Sequence, residues 1–225
     1  MPIYKEVNKK FFKKWSSEMA YIIGFFAADG YITLNNRGAN FWCIQIKDKE
    51  LLYKIREIVK SNHKISERYN KVNKSVVYRL QIGSVEMCDD LRQIGFGSNK
   101  TKNLSVPNVP NTYFKHFIRG YFDGDGNVWS GLVHKERPKP LLTLRVVFTS
   151  CSEEFLMKIK QRMEESGVLG GVLRKGNGEY YRLTYSSKGA LTFFDFVYNS
   201  RVKDFNGLYL ERKKRIFEKF IEMQL

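Results

Sequence analysis

Hydrophobic and polar residues follow the same succession of patterns twice along the chain. Each time, an apolar run of helical length is followed by stretches in which aromatic or β-branched residues alternate with polar ones. A run with helical spacing comes next (48–60 and 152–166), then two more alternating stretches, then a last helical run beginning near Val85 and Gly189. A period of two predicts strands and a period of 3.6 predicts helices. Each half of the chain is therefore predicted to fold as α-β-β-α-β-β-α.

The clearest internal similarity lies between Ile22–Gly30, "IIGFFAADG", and Ile118–Gly126, "IRGYFDGDG". Glycine, phenylalanine, aspartate and glycine occupy matching places in both stretches, and the same order of patterns follows each of them. The matching helical runs that follow are separated by more residues along the sequence than the two stretches are. The second hairpin therefore carries extra residues, which we place around Gly131–Pro140. A repeat of this kind indicates a duplicated unit rather than a chance motif.

The duplication predicts an α+β fold with tandem pseudo-two-fold halves. The halves are residues 1–104 and 113–225, and the polar, proline-bearing segment 105–112 joins them. Two similar halves on one chain predict a monomer that suits a partner with approximate two-fold symmetry, and duplex DNA is such a partner.

Small residues in the two apolar helices predict that the helices lie side by side. Gly24, Ala27 and Ala28 line the first helix, and Gly120 and Gly124 line the second. Small residues at three- and four-residue spacing allow two helix backbones to approach closely. The sequence therefore predicts a helix pair within the chain, with the helix ends adjacent.

Asp29 and Asp125 end these helices, followed by Gly30 and Gly126, which we expect to adopt the left-handed conformation that stops a helix. A carboxylate at a helix C-terminus meets unpaired carbonyl oxygens and the negative end of the helix dipole. A divalent cation that prefers oxygen ligands relieves this repulsion. The pair therefore predicts a Mg²⁺ site, which Mn²⁺ or Ca²⁺ can also occupy, and near a phosphodiester such ions support hydrolysis.

The composition favours a polyanionic partner. Lys and Arg number 39 against 23 Asp and Glu, which gives a net charge of +16 over 225 residues. Such a charge attracts nucleic acid first and an anionic membrane surface second. The sequence shows no bilayer-spanning apolar stretch and no signal peptide, and its three cysteines are far apart. We expect an intracellular protein, in the cytoplasm of a prokaryote or in an organelle.

The two aspartate-ending stretches resemble the paired motifs of LAGLIDADG homing endonucleases in their single-chain form, and the resemblance covers nearly the whole chain. The first motif differs at its sixth position, where Ala27 stands in place of the acid that the second motif has in Asp123. In the family that position is mainly structural, and the metal-binding acid is the eighth, which Asp29 and Asp125 supply.

The resemblance implies site-specific cleavage of double-stranded DNA. Each half would lay a concave, four-stranded antiparallel sheet in the major groove, so that the two sheets form a saddle, with the metal site between the halves. Cutting would leave short 3′ overhangs in a long, pseudo-palindromic target. Such enzymes are usually encoded inside mobile introns or inteins, and here we expect an intron-encoded enzyme.

The resemblance also implies supporting residues around the metal site. Lys100 and Lys213, late in each half, are predicted to stabilise charge or position water, with Lys102 and Arg212 as the nearest alternatives. The main-chain carbonyls of Ala28 and Gly124 are predicted metal neighbours. Residues at the ends of the second strands are candidates for ordering water: Gln45, Asp48, Thr149, Ser150 and Ser152.

Basic and amide side chains on the strands and hairpin tips are the predicted DNA contacts. In the first half these are Asn35, Arg37, Asn40, Lys47, Arg68, Lys71, Lys74 and Arg79. In the second half they are His134, Lys135, Arg137, Lys139, Arg145, Arg174, Lys175 and Arg182. Because a strand alternates its faces, about half of such side chains face a duplex, and the strand register decides which.

Three alternatives remain at this point. The same scaffold could serve as an RNA maturase that binds intron RNA, or as a DNA-binding protein that does not cleave. A basic structural protein is the third, and it leaves the repeat unexplained. The presence of both Asp29 and Asp125 favours the nuclease.

Overall fold

The computed structural model describes residues 5–71, 74–97, 104–198 and 207–224. The helices are α1 (Ser17–Asp29), α2 (Lys49–Ile58), α3 (Val85–Ile94), α4 (Asn111–Asp125), α5 (Glu153–Glu165), α6 (Lys188–Tyr198) and α7 (Glu211–Glu222). The strands are β1 (Gly30–Leu34), β2 (Asn40–Ile46), β3 (Ile65–Asn70), β4 (Ser75–Gly83), β5 (Asn127–Val133), β6 (Leu141–Ser150), β7 (Val172–Lys175) and β8 (Tyr181–Ser186). The predicted order is confirmed, and the short 3₁₀ helix Phe11–Lys13 and helix α7 are additions to it.

The eight strands form two antiparallel four-stranded sheets of the same topology. The strand order is β1-β2-β4-β3 in the first sheet and β5-β6-β8-β7 in the second. Each half thus repeats one arrangement, and the α+β class is confirmed. The second hairpin is longer, with strands of 7 and 10 residues against 5 and 7 in the first.

Each sheet has one apolar face covered by helices. Helices α2 and α3 pack on the first sheet, and α5, α6 and α7 pack on the second. The buried strand residues on these faces include Trp42, Ile44, Leu80 and Ile82, and Leu144, Val146, Phe148 and Leu183. A sheet with one apolar face must bury it against another layer, so the opposite face of each sheet is left for polar side chains. Among the described helices, none is both long enough and apolar enough to cross a lipid bilayer.

Serine caps start several helices. The hydroxyl of Ser16 accepts a hydrogen bond from the Met19 amide at 3.1 Å and so caps the start of α1. The predicted left-handed conformation is wrong for both glycines. The φ of Gly126 is not positive, and the backbone of Gly30 is extended (φ −88°, ψ 156°). Glycine fits there for a steric reason: a Cβ atom would lie 2.0 Å from Cδ2 of Phe26.

The chain packs into two compact units. Among the described residues, the first unit holds 5–71, 74–97, 107–124 and 207–209, and the second holds 104–106, 125–198 and 210–224. Helix α4 up to Gly124 therefore belongs to the first unit, together with α1. The predicted division of the sequence at 105–112 stays a prediction, because the units follow packing in space rather than the repeat in the sequence.

Helices α1 and α4 touch backbone to backbone in the first unit, as predicted. A Cβ atom on Gly24 would lie 1.9 Å from the carbonyl oxygen of Phe117, and one on Gly120 would lie 2.0 Å from that of Tyr21. Real side chains do not approach so closely, so only glycine permits this crossing. The two glycines therefore determine the relative position of the two helices along their axes.

A buried hydrogen bond joins the same two helices. The hydroxyl of Tyr21 donates to Oδ2 of Asp123 at 2.7 Å, and both residues are at least 99% buried. Asp123 is the sixth-position acid of the second motif, and this contact gives it a structural function. A carboxylate removed from water requires such donors.

Arg119 extends the polar cluster on α4. Its guanidinium lies over the ring of Tyr21, 5.4 Å from the centroid, and its Nε donates to the carbonyl oxygen of Leu208 at 3.1 Å. Its Nη2 lies 3.0 Å from Nδ1 of His116. Burial and then the charge of Arg119 lower the pKa of His116 to about 3. The imidazole is therefore neutral, and Nδ1 accepts the hydrogen bond.

Replacement of Gly24 by alanine should separate the helix pair. The new Cβ meets a rigid carbonyl of Phe117, so we expect Gly24→Ala to lower the free energy of unfolding by about 3 kcal/mol, at the upper end of overpacking costs. Chemical denaturation measures this. Gly97→Ala is the control, because a Cβ there has no heavy atom within 4 Å. Equal stability of the Gly24→Ala variant and the wild type would contradict the crossing.

Removal of the Tyr21 hydroxyl should leave the Asp123 carboxylate short of a donor. We expect Tyr21→Phe to cost about 1.5–3 kcal/mol, the range for hydrogen bonds to charged groups. In an Asp123→Ala background, which copies Ala27 of the first motif, the same substitution should cost little. A double-mutant cycle measured by denaturation gives the coupling, and a coupling near zero would refute the contact.

Candidate functional site

The Asp29 carboxylate lies at the end of the crossing between α1 and α4. Its Oδ2 is 3.2 Å from the position that a Cβ atom on Gly124 would take, and the Cβ of Ala28 is 2.2 Å from that position. A side chain at 124 would therefore displace both residues. Asp125 is the next residue in the chain, ends helix α4 and is exposed. The small residue at 124 thus lets the first acid reach the residue that precedes the second.

The chemistry of the donors at these helix ends suits a hard cation. Each acid ends a helix, and the predicted carbonyl ligands of Ala28 and Gly124 lie directly before the acids in α1 and α4. Within the described part of the chain, no three His, Cys, Asp or Glu side chains are grouped so that they could hold a metal ion. A cation at Asp29 or Asp125 would therefore need main-chain, water or phosphate oxygens as well, and Mg²⁺ and Ca²⁺ accept such mixed shells.

Lys213 is a buried lysine in the second unit. Only 5% of its surface is exposed, and its Nζ donates to the carbonyl oxygen of Gly126 at 2.5 Å. Gly126 follows Asp125 directly, so this contact holds the ammonium close in sequence to that acid.

The sequence contains a signal for this burial, which the prediction of Lys213 did not use. Lys213, Phe217 and Phe220 form one buried stripe of helix α7, whereas Arg212 on the same helix is exposed. A lysine in the apolar stripe of an amphipathic helix is unusual and needs an internal acceptor. Lys100, the predicted counterpart in the first half, lies outside the described residues, and its role stays a prediction.

The open face of the second sheet is basic. Arg145, Arg174 and Arg182 are exposed there, and they line a groove of about 640 Å³ that also contains Thr149. The register places Arg182 directly opposite both Thr149 and Arg174, so the three side chains share one face. Three of the predicted DNA contacts and one water-ordering candidate therefore come together.

The open face of the first sheet places predicted residues together in the same way. Gln45 lies opposite Arg79. Arg68 lies two residues along β3 from the residue that pairs with Arg79, so it shares the face of Gln45 and Arg79. The Nε of Arg79 is buried and lacks a hydrogen-bond partner within the described part of the chain. The pair formed by Gln45 and Arg79 occupies the position that Thr149 and Arg182 hold in the second sheet, so the duplication extends to this polar pair.

Other predicted contacts lie at strand ends and hairpin tips. Around the first sheet, Lys47, Lys71 and Lys74 are exposed, and Asn35 folds the β1–β2 tip by accepting from the amides of Arg37 and Ala39, both at 2.9 Å. In the second half, four predicted residues lie in the exposed β5–β6 connection: His134, Lys135, Arg137 and Lys139.

Two predicted contacts lie on the wrong face. Asn40 shares the helix-covered face with Trp42, and its amide oxygen accepts a hydrogen bond from Arg92 of α3. Lys175 pairs with Tyr181 on the face opposite to that of Arg174. The alternation of strand faces separates these side chains from the open faces, and it depends on a register that composition does not reveal.

Two water-ordering candidates, Ser150 and Ser152, accept hydrogen bonds that shape the start of helix α5. The hydroxyl of Ser150 accepts from the Ser152 amide at 3.1 Å, and the hydroxyl of Ser152 accepts from the Phe155 amide at 3.2 Å, which starts helix α5. Asp48 precedes α2 without capping it through its side chain. Gln45 and Thr149 are thus the two candidates of this group that lie on the open faces.

Two aromatic residues beside the arginines were not predicted as site residues. Trp129 is 43% exposed on the open face and lies opposite Arg145. Tyr180 lies under Arg182, whose guanidinium carbon is 5.0 Å from the ring centroid. The sequence contained a signal for Trp129, because this tryptophan lies in the alternating pattern of a strand, two residues before a glycine.

Comparisons with known proteins agree with this architecture. The family of the LAGLIDADG-like domain matches residues 16–95 and 114–197. A stretch of 127 residues is 28% identical to the probable translation initiation factor IF-2 of Thermococcus kodakarensis, and this match covers 55% of the present chain but 9% of that protein. The match covers too small a share of that protein to indicate that the two chains have the same function.

Solved structures of homing endonucleases share the fold along most of the chain. The meganuclease I-AabMI, bound to uncleaved DNA, is 16% identical with a TM-score of 0.60, and the match covers 90% of this chain and 88% of that one. The homing endonuclease I-WcaI, bound to its DNA recognition sequence, is 17% identical with a TM-score of 0.61, covering 92% and 90%. I-SmaMI, bound to an uncleaved DNA target in the presence of calcium ions, is 14% identical with a TM-score of 0.59, covering 93% and 90%.

The family match spans both repeats and more than half of the chain. The same two segments contain α1, α4 from Phe114 onward, the terminal aspartates of both helices and both four-stranded sheets. The chain therefore belongs to the family of the LAGLIDADG-like domain, in its tandem two-motif form.

Proposed function

We propose that this protein is a site-specific endonuclease that hydrolyses both strands of a DNA target with the help of divalent metal ions. The observation that carries the proposal is the approach of the Asp29 carboxylate to Gly124, the residue before Asp125. The target is long and pseudo-palindromic, the product has short 3′ overhangs, and the enzyme is an intracellular monomer, encoded within an intron.

The open faces of the two sheets support DNA as the substrate. Arginine and glutamine side chains on them can form paired hydrogen bonds with purine edges in the major groove. The excess of lysine and arginine supplies the phosphate contacts that give most of the affinity. The similar proteins I-AabMI and I-WcaI are described as bound to DNA, which is consistent with this assignment.

We assign the metal ligands to Asp29 and Asp125, with the main-chain carbonyls of Ala28 and Gly124 beside them. A divalent cation bound there would supply a polarised phosphoryl oxygen and a more acidic water molecule. The carboxylates hold the cations, and the close crossing of α1 and α4 keeps Asp29 from moving away. Mg²⁺ is the proposed ion, and the calcium ions described for I-SmaMI fit the same class of ligands.

Lys213 is assigned to charge stabilisation near the scissile phosphate. Its buried ammonium is held by the carbonyl oxygen of Gly126, directly after Asp125. A fixed cation in a site shielded from water stabilises developing negative charge better than a mobile surface lysine does.

A plasmid library tests the proposal against its alternatives. The full-length protein is incubated with a library of supercoiled plasmids carrying randomised inserts, in Mg²⁺, Mn²⁺ or Ca²⁺. Linear product from a defined subset of inserts supports the nuclease. Specific binding without any linear product in all three metals would instead support a non-cleaving binder, and tighter binding of intron RNA than of any DNA would support a maturase.

Loss of either carboxylate should abolish cleavage and spare binding. We expect Asp29→Asn and Asp125→Asn to lower the cleavage rate by at least about 1,000-fold, since a neutral amide is a poor ligand for Mg²⁺. Affinity for the target should change little. The control is Asp89→Asn, which removes an exposed carboxylate paired with Arg92 at 2.6 Å. Cleavage at the normal rate by either variant would refute the ligand assignment.

Lys213→Met tests the buried ammonium. Methionine keeps the length of the side chain and removes its charge, so we expect cleavage to slow by about 100- to 1,000-fold, as for the loss of one preorganised donor. Target binding should remain. Lys214→Met is the matched control, because Lys214 forms a half-buried ion pair with Glu218 at 2.8 Å on the same helix. Equal effects of the two substitutions on the rate would contradict the role given to Lys213.

A further inference from the structure

The strand register sorts the open face of the second sheet into rows of different chemistry. Residues directly opposite one another on antiparallel strands point to the same face. Three rows therefore cross the sheet: Trp129, Arg145 and Ser186; Asn127, Val147, Thr184 and Val172; and Thr149, Arg182 and Arg174. All of them line the groove of about 640 Å³. The two outer rows contain arginine, and the middle row contains none.

The middle row contains two valines and a threonine beside Asn127. Val147 and Thr184 are half-buried, and Val172 on the edge strand is 47% exposed. Their methyl groups face the same groove as the arginines. Apolar side chains on a polar, basic surface contribute nothing to phosphate binding, but in a major groove they fit the 5-methyl group of thymine.

The outer rows contain arginine side chains that are already oriented or flanked by aromatic rings. The guanidinium of Arg182 lies over the ring of Tyr180 at 5.0 Å. Trp129, opposite Arg145, lies against Gly131, where a Cβ atom would be 2.7 Å from the indole Cζ2. A guanidinium stacked on a ring loses less freedom on binding than a free one. Arg182 is therefore better suited to paired hydrogen bonds with guanine than to loose contacts with phosphate.

We propose that the second sheet reads a half-site in which two guanine-bearing positions flank a thymine-rich step. Arg145 reads one guanine, Arg182 with Arg174 reads the other, and Val147, Thr184 and Val172 meet thymine methyl groups between them. The outer rows are four residues apart along β6, about 13 Å at the rise of a strand. This distance corresponds to about four base-pair steps of 3.4 Å. The inference rests on the proposed function, and it specifies the kind of target that the site accepts.

Selection of DNA sequences by the full-length chain tests the arginine rows. The protein is incubated with a randomised duplex library in EDTA, and bound sequences are recovered for the wild type, Arg145→Ala, Arg174→Ala, Arg182→Ala and Lys175→Ala. The wild type should select guanines about four base pairs apart. Arg145→Ala and Arg182→Ala should each reduce the preference for guanine at one position by about 5- to 150-fold, the range for the loss of a bidentate contact.

Lys175→Ala is the matched control for Arg174→Ala. It removes one positive charge from the adjacent residue, on the face opposite to that of the arginines. It should leave the selected sequences unchanged, whereas Arg174→Ala should alter the preference at the position that Arg182→Ala also affects. Identical sequence preferences for all five proteins would overturn the assignment of the rows.

Removal of thymine methyl groups tests the middle row. Deoxyuridine in place of the selected thymines should weaken binding of the wild type by about fourfold per lost methyl contact, from the transfer free energy of one such group. In Val172→Ser the same replacement should have a smaller effect. Indifference of the wild type to deoxyuridine would overturn the thymine assignment. If no DNA is retained even at low salt, both this inference and the proposed function fail, whereas retention without base preference refutes this inference alone.

Discussion

The contact between the backbones of α1 and α4 is the constraint on which the candidate site depends. Gly24 and Gly120 lie at the two places where a Cβ atom would overlap a carbonyl oxygen of the other helix. A crossing held by backbone atoms leaves no side chains to rearrange, so the helices have one relative position along their axes. That position brings Asp29 to Gly124, where only a small residue leaves room for its carboxylate. The acid ends a helix in an electrostatically unfavourable place, and rigid packing is what keeps it there.

The repeat is symmetric in its backbone and asymmetric in its buried polar groups. Tyr21 and Asp123 share a hydrogen bond across the crossing. The positions that correspond to them in the other repeat are Phe117 and Ala27, which are apolar and buried. Burial of a carboxylate is costly unless donors surround it, so one such pair fixes the alignment of the helices at half the cost of two. The alanine at the sixth position of the first motif, where the second motif has Asp123, thus has a physical reason within the fold.

The sequence predicted the order of the elements well, because strand and helix periods are local properties of the chain. It predicted less about orientation. Asn40 and Lys175 have the composition of DNA contacts but lie on the wrong faces, since a shift of one residue reverses the face and the register is set by distant partners. The extended backbone of Gly30 could not be told from a left-handed cap, because the ring of Phe26 that demands glycine there is positioned by the core. Lys213 was predicted from its place in the second half, and its burial follows from the stripe that it shares with Phe217.

Net charge and sheet chemistry answer different questions about the partner. The charge of +16 raises the affinity of the chain for any polyanion, and it carries no information about sequence. Discrimination requires side chains that are held in place, and the two sheets differ in which ones they hold. Phe41, opposite Thr33, occupies the position that Arg145, opposite Trp129, has in the second sheet. One backbone arrangement thus presents two chemically different surfaces. Under the proposed function, a homodimer of a single repeat would be restricted to a palindrome, whereas a duplicated chain that has diverged in this way would suit a target whose two halves differ.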